Sequence, residues 1–325
     1  MTKDQSNIEH VLREQLGNRT AMPMDEFVDL ALYHHSFGYY SINKKRVGKA
    51  EGTDFYTSNT LGTVWGELIV DACTQILDVK DLAEYTFVEI AAEPGCSVLD
   101  KVDHPFSSSI SIRLGDPLKI PDRAIVFSNE WLDAQPFKRF RFDTSEKKWR
   151  EIGVGYREGK LTEYTMSQAS NTVFPDENLD GYTIDWPTGS IRAMNSLLAR
   201  QWKGLFLTFD YGLSKPVLLN ERPDGTARAY HQHQMNGDLF ANPGKQDLTC
   251  HLCWDELTDC LKKNLFKEIG LLNQESFFMK YAQKKIRNLI EQANNPLDSK
   301  VQKLKELIHP QHFGSKFQVL WGKRD

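Results

Sequence analysis

The chain is poor in the features that mark several protein classes. Its 325 residues include only five cysteines, an odd and sparse set that argues against a disulfide framework and indicates a reducing compartment such as the cytoplasm. No apolar run is long enough to cross a bilayer, and residues 1–20 lack the apolar segment of a signal peptide, so we expect no membrane association. With a net charge of -4 and interleaved Lys and Arg, the chain offers no broad basic surface, and nucleic acid is not an expected partner.

Short apolar runs recur through the middle of the chain. The runs at 85–90, 109–114, 124–128 and 204–211 predict strands, and their apolar character on both faces is typical of a parallel sheet covered by helices. A hairpin insert is predicted at about 143–170, and a last strand at 317–321 is expected to lie antiparallel. Helices are predicted at 8–16, 24–33, 61–77, 96–102, 189–200 and 297–307. The pattern therefore predicts an α/β fold with a mostly parallel, Rossmann-like sheet.

The first candidate site is the segment after the first predicted core strand, Glu89-Ile90-Ala91-Ala92-Glu93-Pro94-Gly95. Small residues let the backbone approach a ligand, and the N-terminus of a following helix would favour a negative group such as a carboxylate. Glu89, at the end of the strand, could accept hydrogen bonds from an ammonium group. The alternative, an ordinary tight turn between strand and helix, carries equal weight on these residues alone.

The second candidate site, residues 128–136, directly follows the predicted strand 124–128. Ligands of open α/β sheets bind beyond the carboxyl ends of the strands, which is where Asn129, Glu130 and Asp133 are placed. The Asn129 amide oxygen can accept hydrogen bonds from the N–H groups of an amine or guanidinium, and the two acids can bind a positive charge. The alternative is a helix N-cap with Asp133 in the first turn. Asp210, at the next strand end, is equally a substrate-binding carboxylate or a loop cap.

Two cysteines, Cys250 and Cys253, stand at a spacing that zinc sites use, and His231, His233 and His251 are the nearest imidazoles. A second Cys-x-x-Cys pair is absent, and the apolar neighbourhood suits buried structural cysteines. We therefore expect no metal site.

Taken together, these segments resemble the MidA family, which includes a mitochondrial complex I assembly factor that acts as a protein arginine methyltransferase. The resemblance is one of order and spacing and covers most of the chain. It runs through residues 26–33, 38–41, 54–58, 65–68, 88–90, 129–136, 210–212, 231–233, 244–249 and 314–320.

The resemblance implies a class I methyltransferase fold that uses S-adenosylmethionine. It implies a helical N-terminal addition over 1–84, a core over 85–325 and a lid-like insert at about 213–254. It also implies that Glu89, Ala91, Ala92 and Gly95 hold the methionine part of the cofactor. Asp54, Tyr56 and Thr57, with Asn129, Glu130, Asp133 and Asp210, would line the methyl-transfer site, and the implied reaction is methylation of a nitrogen on a protein side chain.

Two departures from the family pattern bear on activity. The family loop reads Glu-x-Gly-x-Gly-x-Gly, whereas Ala91 and Glu93 occupy the first two glycine positions here; alanine is a mild change, but the charge of Glu93 would repel the methionine carboxylate. The interval between Gly95 and the strand at 124–128 is also one strand-helix unit short. Asp116 in that interval would hold the ribose or lie near the adenine, or is a plain turn residue.

Two other functions therefore stay open. A non-catalytic binding or assembly module would keep the fold without the reaction. A nicotinamide-dependent oxidoreductase ranks lower, because the loop lacks Gly-x-Gly-x-x-Gly. The sequence leaves the oligomeric state undecided.

Overall fold

A computed structural model describes residues 7–41, 62–92, 94–169, 174–231, 234–293, 295 and 297–325. The helices are α1 Ile8–Leu16, α2 Met24–Tyr33, α3 Thr63–Leu77, α4 Thr188–Leu198, α5 Lys215–Asn220, α6 Trp254–Lys263, α7 Gln274–Tyr281, α8 Gln283–Glu291 and α9 Ser299–Ile308. The strands are β1 Met22–Pro23, β2 Thr86–Ile90, β3 Ser108–Ile112, β4 Arg123–Asn129, β5 Lys138–Asp143, β6 Lys148–Arg157, β7 Lys160–Ala169, β8 Thr183–Trp186, β9 Lys203–Asp210, β10 Gly212–Leu213, β11 Arg228–His231, β12 Gln234–Asn236, β13 Asp247–Thr249, β14 Leu252–Cys253, β15 Glu268–Asn273 and β16 Gln318–Arg324. Each helix in the described part of the chain is too short or too polar to span a membrane.

The chain divides into two compact units. The first unit contains the described parts of 1–44, Leu132–Met194 and Leu213–Leu257, and the second contains those of Lys45–Trp131, Asn195–Gly212 and Thr258–Asp325. The predicted division into an N-terminal addition, a core and a lid stays a prediction.

The second unit is built on a six-stranded sheet. Its strand order is β15-β16-β9-β4-β2-β3, in which β3, β2, β4 and β9 are parallel, whereas β16 and β15 run antiparallel. The fold class is confirmed, and the expected antiparallel last strand is β16, paired with β9. Strands β2, β4 and β9 are buried on both faces, as their apolar runs predicted.

Aromatic side chains form the centre of this unit's core. Phe87 lies 5.6 Å from Phe127, measured between ring centroids, and Trp65 of α3 lies 4.8 Å from Phe209. Each is fully buried, and burial of a large apolar side chain stabilises a fold by about 1.5–3 kcal/mol. Helix α3 is thereby fixed against the middle strands of the sheet.

The sheet is one unit short beside β3, as the sequence predicted. Strand β3 ends at Ile112 and β4 begins at Arg123, and the fully described residues between them contain neither helix nor strand. Among the strands that the structure describes, β3 is therefore the last of the sheet on this side, and β2 has β3 and β4 as its two neighbours.

The first unit contains a second sheet, in the order β1-β6-β5-β8 with β7 paired to β6. The predicted hairpin is present as β6 and β7, joined at a turn where Glu158 and Gly159 have positive φ. On this sheet the Arg139 guanidinium donates to Asp185 at 2.7 Å and to Glu163 at 2.7 Å. Asp185 is fully buried, so this ion pair is part of the interior of the first unit.

Candidate active site

The parallel strands of the second unit bring several polar residues to one edge of the sheet. Ile90 of β2 stands beside Ser128 of β4, and Asn129 stands beside Phe209 of β9, so the carboxyl ends of these strands are level. The loop after β2, the pair Asn129 and Glu130, and Asp210 therefore lie along the same edge. In open α/β sheets this is the edge that binds ligands.

The loop after β2 turns through left-handed backbone. Ala91 has φ +61°, and its N–H donates to the carbonyl of Ile112 at 2.8 Å. Ala92 is buried, and Gly95 has φ +73° with open space where a side chain would stand. The change from glycine to Ala91 is therefore less mild than predicted, because a left-handed residue with a Cβ costs about 1–2 kcal/mol. Glu93 lies outside the described residues.

Glu89 is buried at the end of β2 and organises the segment that follows the loop. Its Oε2 accepts hydrogen bonds from the Ser97 hydroxyl at 2.6 Å and from the Val98 N–H at 2.9 Å. Burial raises the pKa of the Glu89 carboxyl above its ordinary value, although these two bonds act in the opposite direction. One oxygen of this acid is thus already bound within the chain.

The helix predicted at 96–102 is absent, and that prediction is wrong. Residues 94–107 form turns, which Glu89 anchors through Ser97 and Val98. The Val98 carbonyl also lies close to Gly66 of α3: a Cβ added to Gly66 would stand 2.2 Å from the Val98 carbonyl oxygen. A ligand carboxylate at this loop would therefore meet individual backbone N–H groups and would gain nothing from a helix dipole.

At the end of β4, Asn129 and Glu130 form the most unusual local structure of this edge. Glu130 has φ +48°, and its N–H donates to the carbonyl of Phe209 at 2.9 Å. The Asn129 Nδ2 donates to Glu130 Oε1 at 2.9 Å, whereas the Asn129 Oδ1 is buried without a hydrogen-bond partner. An unpaired buried acceptor costs about 1–3 kcal/mol, which marks Asn129 as a candidate ligand-binding residue.

Asp210 is fully buried at the end of β9. Its Oδ1 accepts a hydrogen bond from the Tyr211 N–H at 2.9 Å, which is the loop-capping contact that the sequence left as an alternative. Behind it, the Ser128 hydroxyl donates to Thr208 Oγ1 at 2.8 Å. A buried hydrogen bond between side chains therefore joins β4 and β9 next to this edge of the sheet.

The other predicted site residues are distributed differently. The Asp116 Oδ2 accepts a hydrogen bond from the Arg113 N–H at 2.8 Å, which is the geometry of a turn residue on the exposed end of β3. Asp54, Tyr56 and Thr57 lie outside the described residues. The roles predicted for all four stay predictions.

Asp133 belongs to the first unit, where it is buried near two tyrosines that the sequence did not single out. Tyr33 and Tyr40 stack at 5.5 Å, and the Tyr40 hydroxyl donates to Asp247 Oδ1 at 2.9 Å. Burial raises the pKa of both tyrosines well above their ordinary values, and the charges of Asp247 and Asp133 add to the effect. The Tyr40 and Asp247 side chains come from positions 207 residues apart, and no local pattern predicts such a contact.

The cysteines of the zinc alternative, Cys250 and Cys253, are both buried. Burial raises the pKa of the Cys253 thiol to about 11. Within the described ranges, no group of three or more His, Cys, Asp or Glu side chains is arranged to hold a metal ion.

More than half of the chain matches a known protein family. The profile of a family described as "Putative S-adenosyl-L-methionine-dependent methyltransferase" matches residues 75–270. The chain belongs to this family. Its members use S-adenosylmethionine, which confirms the cofactor predicted from the sequence.

Two solved structures share the fold of this methyltransferase family member over nearly its full length. One is a Burkholderia thailandensis protein bound to S-adenosyl-homocysteine, with 19% identity, 98% of this chain and 92% of that chain covered, and a TM-score of 0.83. The other is a native structure of an uncharacterized protein from the same organism, with 19% identity, coverage of 98% and 91%, and a TM-score of 0.79. No curated protein sequence matches the chain.

The described residues of the β2 loop fit the methionine end of this cofactor. Ala91 and Ala92 carry only methyl groups, and the space beside Gly95 is open. The unpaired Asn129 Oδ1 lies on the same edge of the sheet. Small side chains and left-handed turns at this position let backbone N–H groups approach a carboxylate.

Proposed function

We propose that the chain is an S-adenosylmethionine-dependent methyltransferase that acts on a nitrogen of a protein side chain, with arginine as the acceptor suggested by its resemblance to the MidA family. The observation that carries the proposal is the buried, unpaired Oδ1 of Asn129 at the carboxyl end of β4. A lone acceptor there suits a substrate that brings an N–H donor. No disulfide joins the five cysteines, all of which lie in the described part of the chain, in keeping with the reducing conditions of the cytoplasm.

In this proposal, Ala91, Ala92 and Gly95 hold the methionine end of the cofactor against their backbone, and Glu89 orients its ammonium group. When bound, the cofactor supplies a methyl group on a positively charged sulfur. Asn129 accepts a hydrogen bond from the acceptor N–H and so directs the nitrogen lone pair. Correct alignment of two reactants can supply about 7–11 kcal/mol of the barrier reduction, so positioning is the main task of these residues.

The carboxylates of Glu130 and Asp210 would then stabilise positive charge in the site. Glu130 holds the Asn129 amide in place through the 2.9 Å hydrogen bond from Nδ2, which leaves Oδ1 for the substrate. The negative charges of Glu130 and Asp210 stabilise the positive charge that builds up on the nitrogen as its new bond to the methyl carbon forms, until the nitrogen releases one proton to solvent. The substrate-binding role predicted for Asp133 stays a prediction, as do the roles of Asp54, Tyr56 and Thr57, which lie outside the described residues.

One observation favours the alternative, a non-catalytic binding or assembly module. Within the described ranges, the sheet extends no further than β3 and residues 94–107 contain no helix, so fewer elements there could enclose an adenosine. A module of this kind would bind its partner without transferring a methyl group. The two functions differ in whether S-adenosylhomocysteine binds.

The test is methyl transfer from radiolabelled S-adenosylmethionine to peptides that contain arginine, lysine or serine as the only nucleophile. We expect label on a nitrogen-containing peptide and a loss of at least about 100-fold in Asn129→Ala. Asn129→Ala removes an unpaired buried acceptor but also the hydrogen bond from Nδ2 to Glu130, so the two effects offset and the free energy of unfolding should change by less than about 1 kcal/mol. Asn18→Ala, on an exposed side chain, is the matched control and should keep full activity.

Label on serine only would overturn the assignment of a nitrogen acceptor. A destabilised Asn129→Ala that still transfers methyl groups would show that this side chain is structural.

A further inference from the structure

Strand β15 forms the edge of the six-stranded sheet opposite β3. Among the described residues it pairs only with β16. The Gln274 N–H donates to the Phe317 carbonyl at 3.0 Å, and this bond sets the phase of the ladder, because alternate residues of an antiparallel strand bond to the same neighbour. Leu272 and Gly270 therefore bond toward β16. The backbone groups of Ile269, Leu271 and Asn273 point away from the sheet.

Between Ile269 and Asn273, this edge strand carries none of the charged residues or prolines that usually prevent an edge strand from pairing with another chain. Within this stretch, Leu271 is 38% exposed. The one charged residue of the strand, Glu268, is already paired with Lys323 at 2.9 Å. An unprotected edge with exposed apolar side chains is a site where another strand adds.

A shallow cavity of about 280 Å³ lies beside the same strand. Its lining includes Gly270, Leu272, Tyr281 and Trp321. Gly270 leaves room for the Trp321 ring, since a Cβ at this glycine would approach Trp321 Nε1 to 2.5 Å. The Trp321 Nε1 is buried and has no hydrogen-bond partner. The cavity thus lies at the position along β15 where the strand has no side chain of its own.

We propose that β15 is the interface between two copies of this chain, paired antiparallel about Leu271. In the register that uses all the outward backbone groups, Ile269 lies opposite Asn273, and Leu271 lies opposite its own copy on the two-fold axis. Three pairs of this kind form six backbone hydrogen bonds. Each copy offers the same surface, as a two-fold interface requires.

Two further features of this register match a second copy. Leu272 of the second copy lies opposite Gly270 on the face of the strand that bears the cavity, so its side chain fills the space beside Trp321. An edge glycine is commonly covered in this way by a cross-strand neighbour. At both ends of the interface, Lys267 of one copy, which is paired with Asp325 of its own chain at 2.9 Å, would come close to half-buried Glu275 of the other. The two copies are complementary in shape.

The proposal is tested by sedimentation velocity on the full chain from about 1 to about 200 µM. An interface of one strand pair is smaller than a standard stable interface, so we expect a dimer with a dissociation constant of roughly micromolar size. Leu271→Lys places two like charges on the axis and should weaken the dimer more than about tenfold. Leu179→Lys changes a leucine that is 69% exposed in the first unit and should leave the dimer unchanged.

A cross-link provides a second, independent measurement. Residues of a hydrogen-bonded antiparallel pair lie about 5.5 Å apart at Cα, within the range of a disulfide. In a Cys96→Ser background, which removes the exposed cysteine, Leu271→Cys should form a covalent dimer on mild oxidation and Leu179→Cys should not. A monomer at every concentration, or a dimer that Leu271→Lys does not weaken and Leu271→Cys does not cross-link, would overturn the proposal.

Discussion

Gly66→Ala is expected to destabilise the second unit although alanine is the better helix former. Gly66 lies inside α3, where the change to alanine alone would add about 1 kcal/mol of stability. The new Cβ, however, would stand 2.2 Å from the Val98 carbonyl and 2.8 Å from Val102 Cγ2. Overpacking of a core costs about 1–3 kcal/mol, and a backbone carbonyl held by its neighbours places this site at the upper end. We therefore expect a net loss of about 2 kcal/mol.

The assay is urea unfolding followed by circular dichroism, with Gly237→Ala as the control. A Cβ added at Gly237 would have no other atom within 4 Å, and the φ of this residue is not in the left-handed region, so its substitution should change the free energy of unfolding by less than about 0.5 kcal/mol. Because Val98 donates to Glu89, Gly66→Ala should also weaken S-adenosylhomocysteine binding. A Gly66→Ala variant as stable as the wild type would refute the close contact between α3 and the segment after the loop.

Three other predictions concern backbone strain, pH and a buried ion pair. Ala91→Gly removes the left-handed strain at φ +61° but increases the backbone entropy of the unfolded chain. The net effect should be a rise of about 0.5–1 kcal/mol in the free energy of unfolding, measured by urea titration. Burial, with the charges of Arg228 and Arg222, lowers the pKa of His251 to about 4. The folded protein therefore loses up to about 3 kcal/mol of unfolding free energy as pH falls from 6.5 through 4. Urea unfolding at pH 4.5 and at pH 7 should show that His251→Gln removes this loss. Asp185→Asn removes the fully buried one of the two carboxylates that pair with Arg139, leaves only the pair with Glu163, and should cost about 3 kcal/mol by the same assay. No measurable change is expected for Asp325→Asn on the surface.

The strands of the parallel sheet could be predicted because each is a short, continuous apolar run. Strands β2, β4 and β9 begin and end within about two residues of the predicted bounds. Because these strands are buried on both faces, their apolar runs are continuous and the ends of the runs are easy to place. The antiparallel last strand and the shortened interval near β3 were also predicted correctly. Strand β15 was not predicted, because Gly270 interrupts its apolar run.

The candidate site was predictable only where it follows a strand end. Asn129 and Asp210 could be placed along one edge because the carboxyl ends of parallel strands share it, and their roles there stay predictions. The helix at 96–102 was wrong because its conformation depends on hydrogen bonds to Glu89 and on contact with Gly66, both distant in sequence. The contact of Tyr40 with Asp247 depends on tertiary structure in the same way.

The most direct test of the central claim, that the loop after β2 still accepts the methyl donor, is a calorimetric titration of the full chain with S-adenosylhomocysteine. We expect saturable binding of one molecule per chain, with a gain in unfolding free energy of about 2.7 kcal/mol at a ligand concentration one hundred times the dissociation constant. No heat and no stabilisation at millimolar ligand would contradict the catalytic assignment and leave a binding or assembly module.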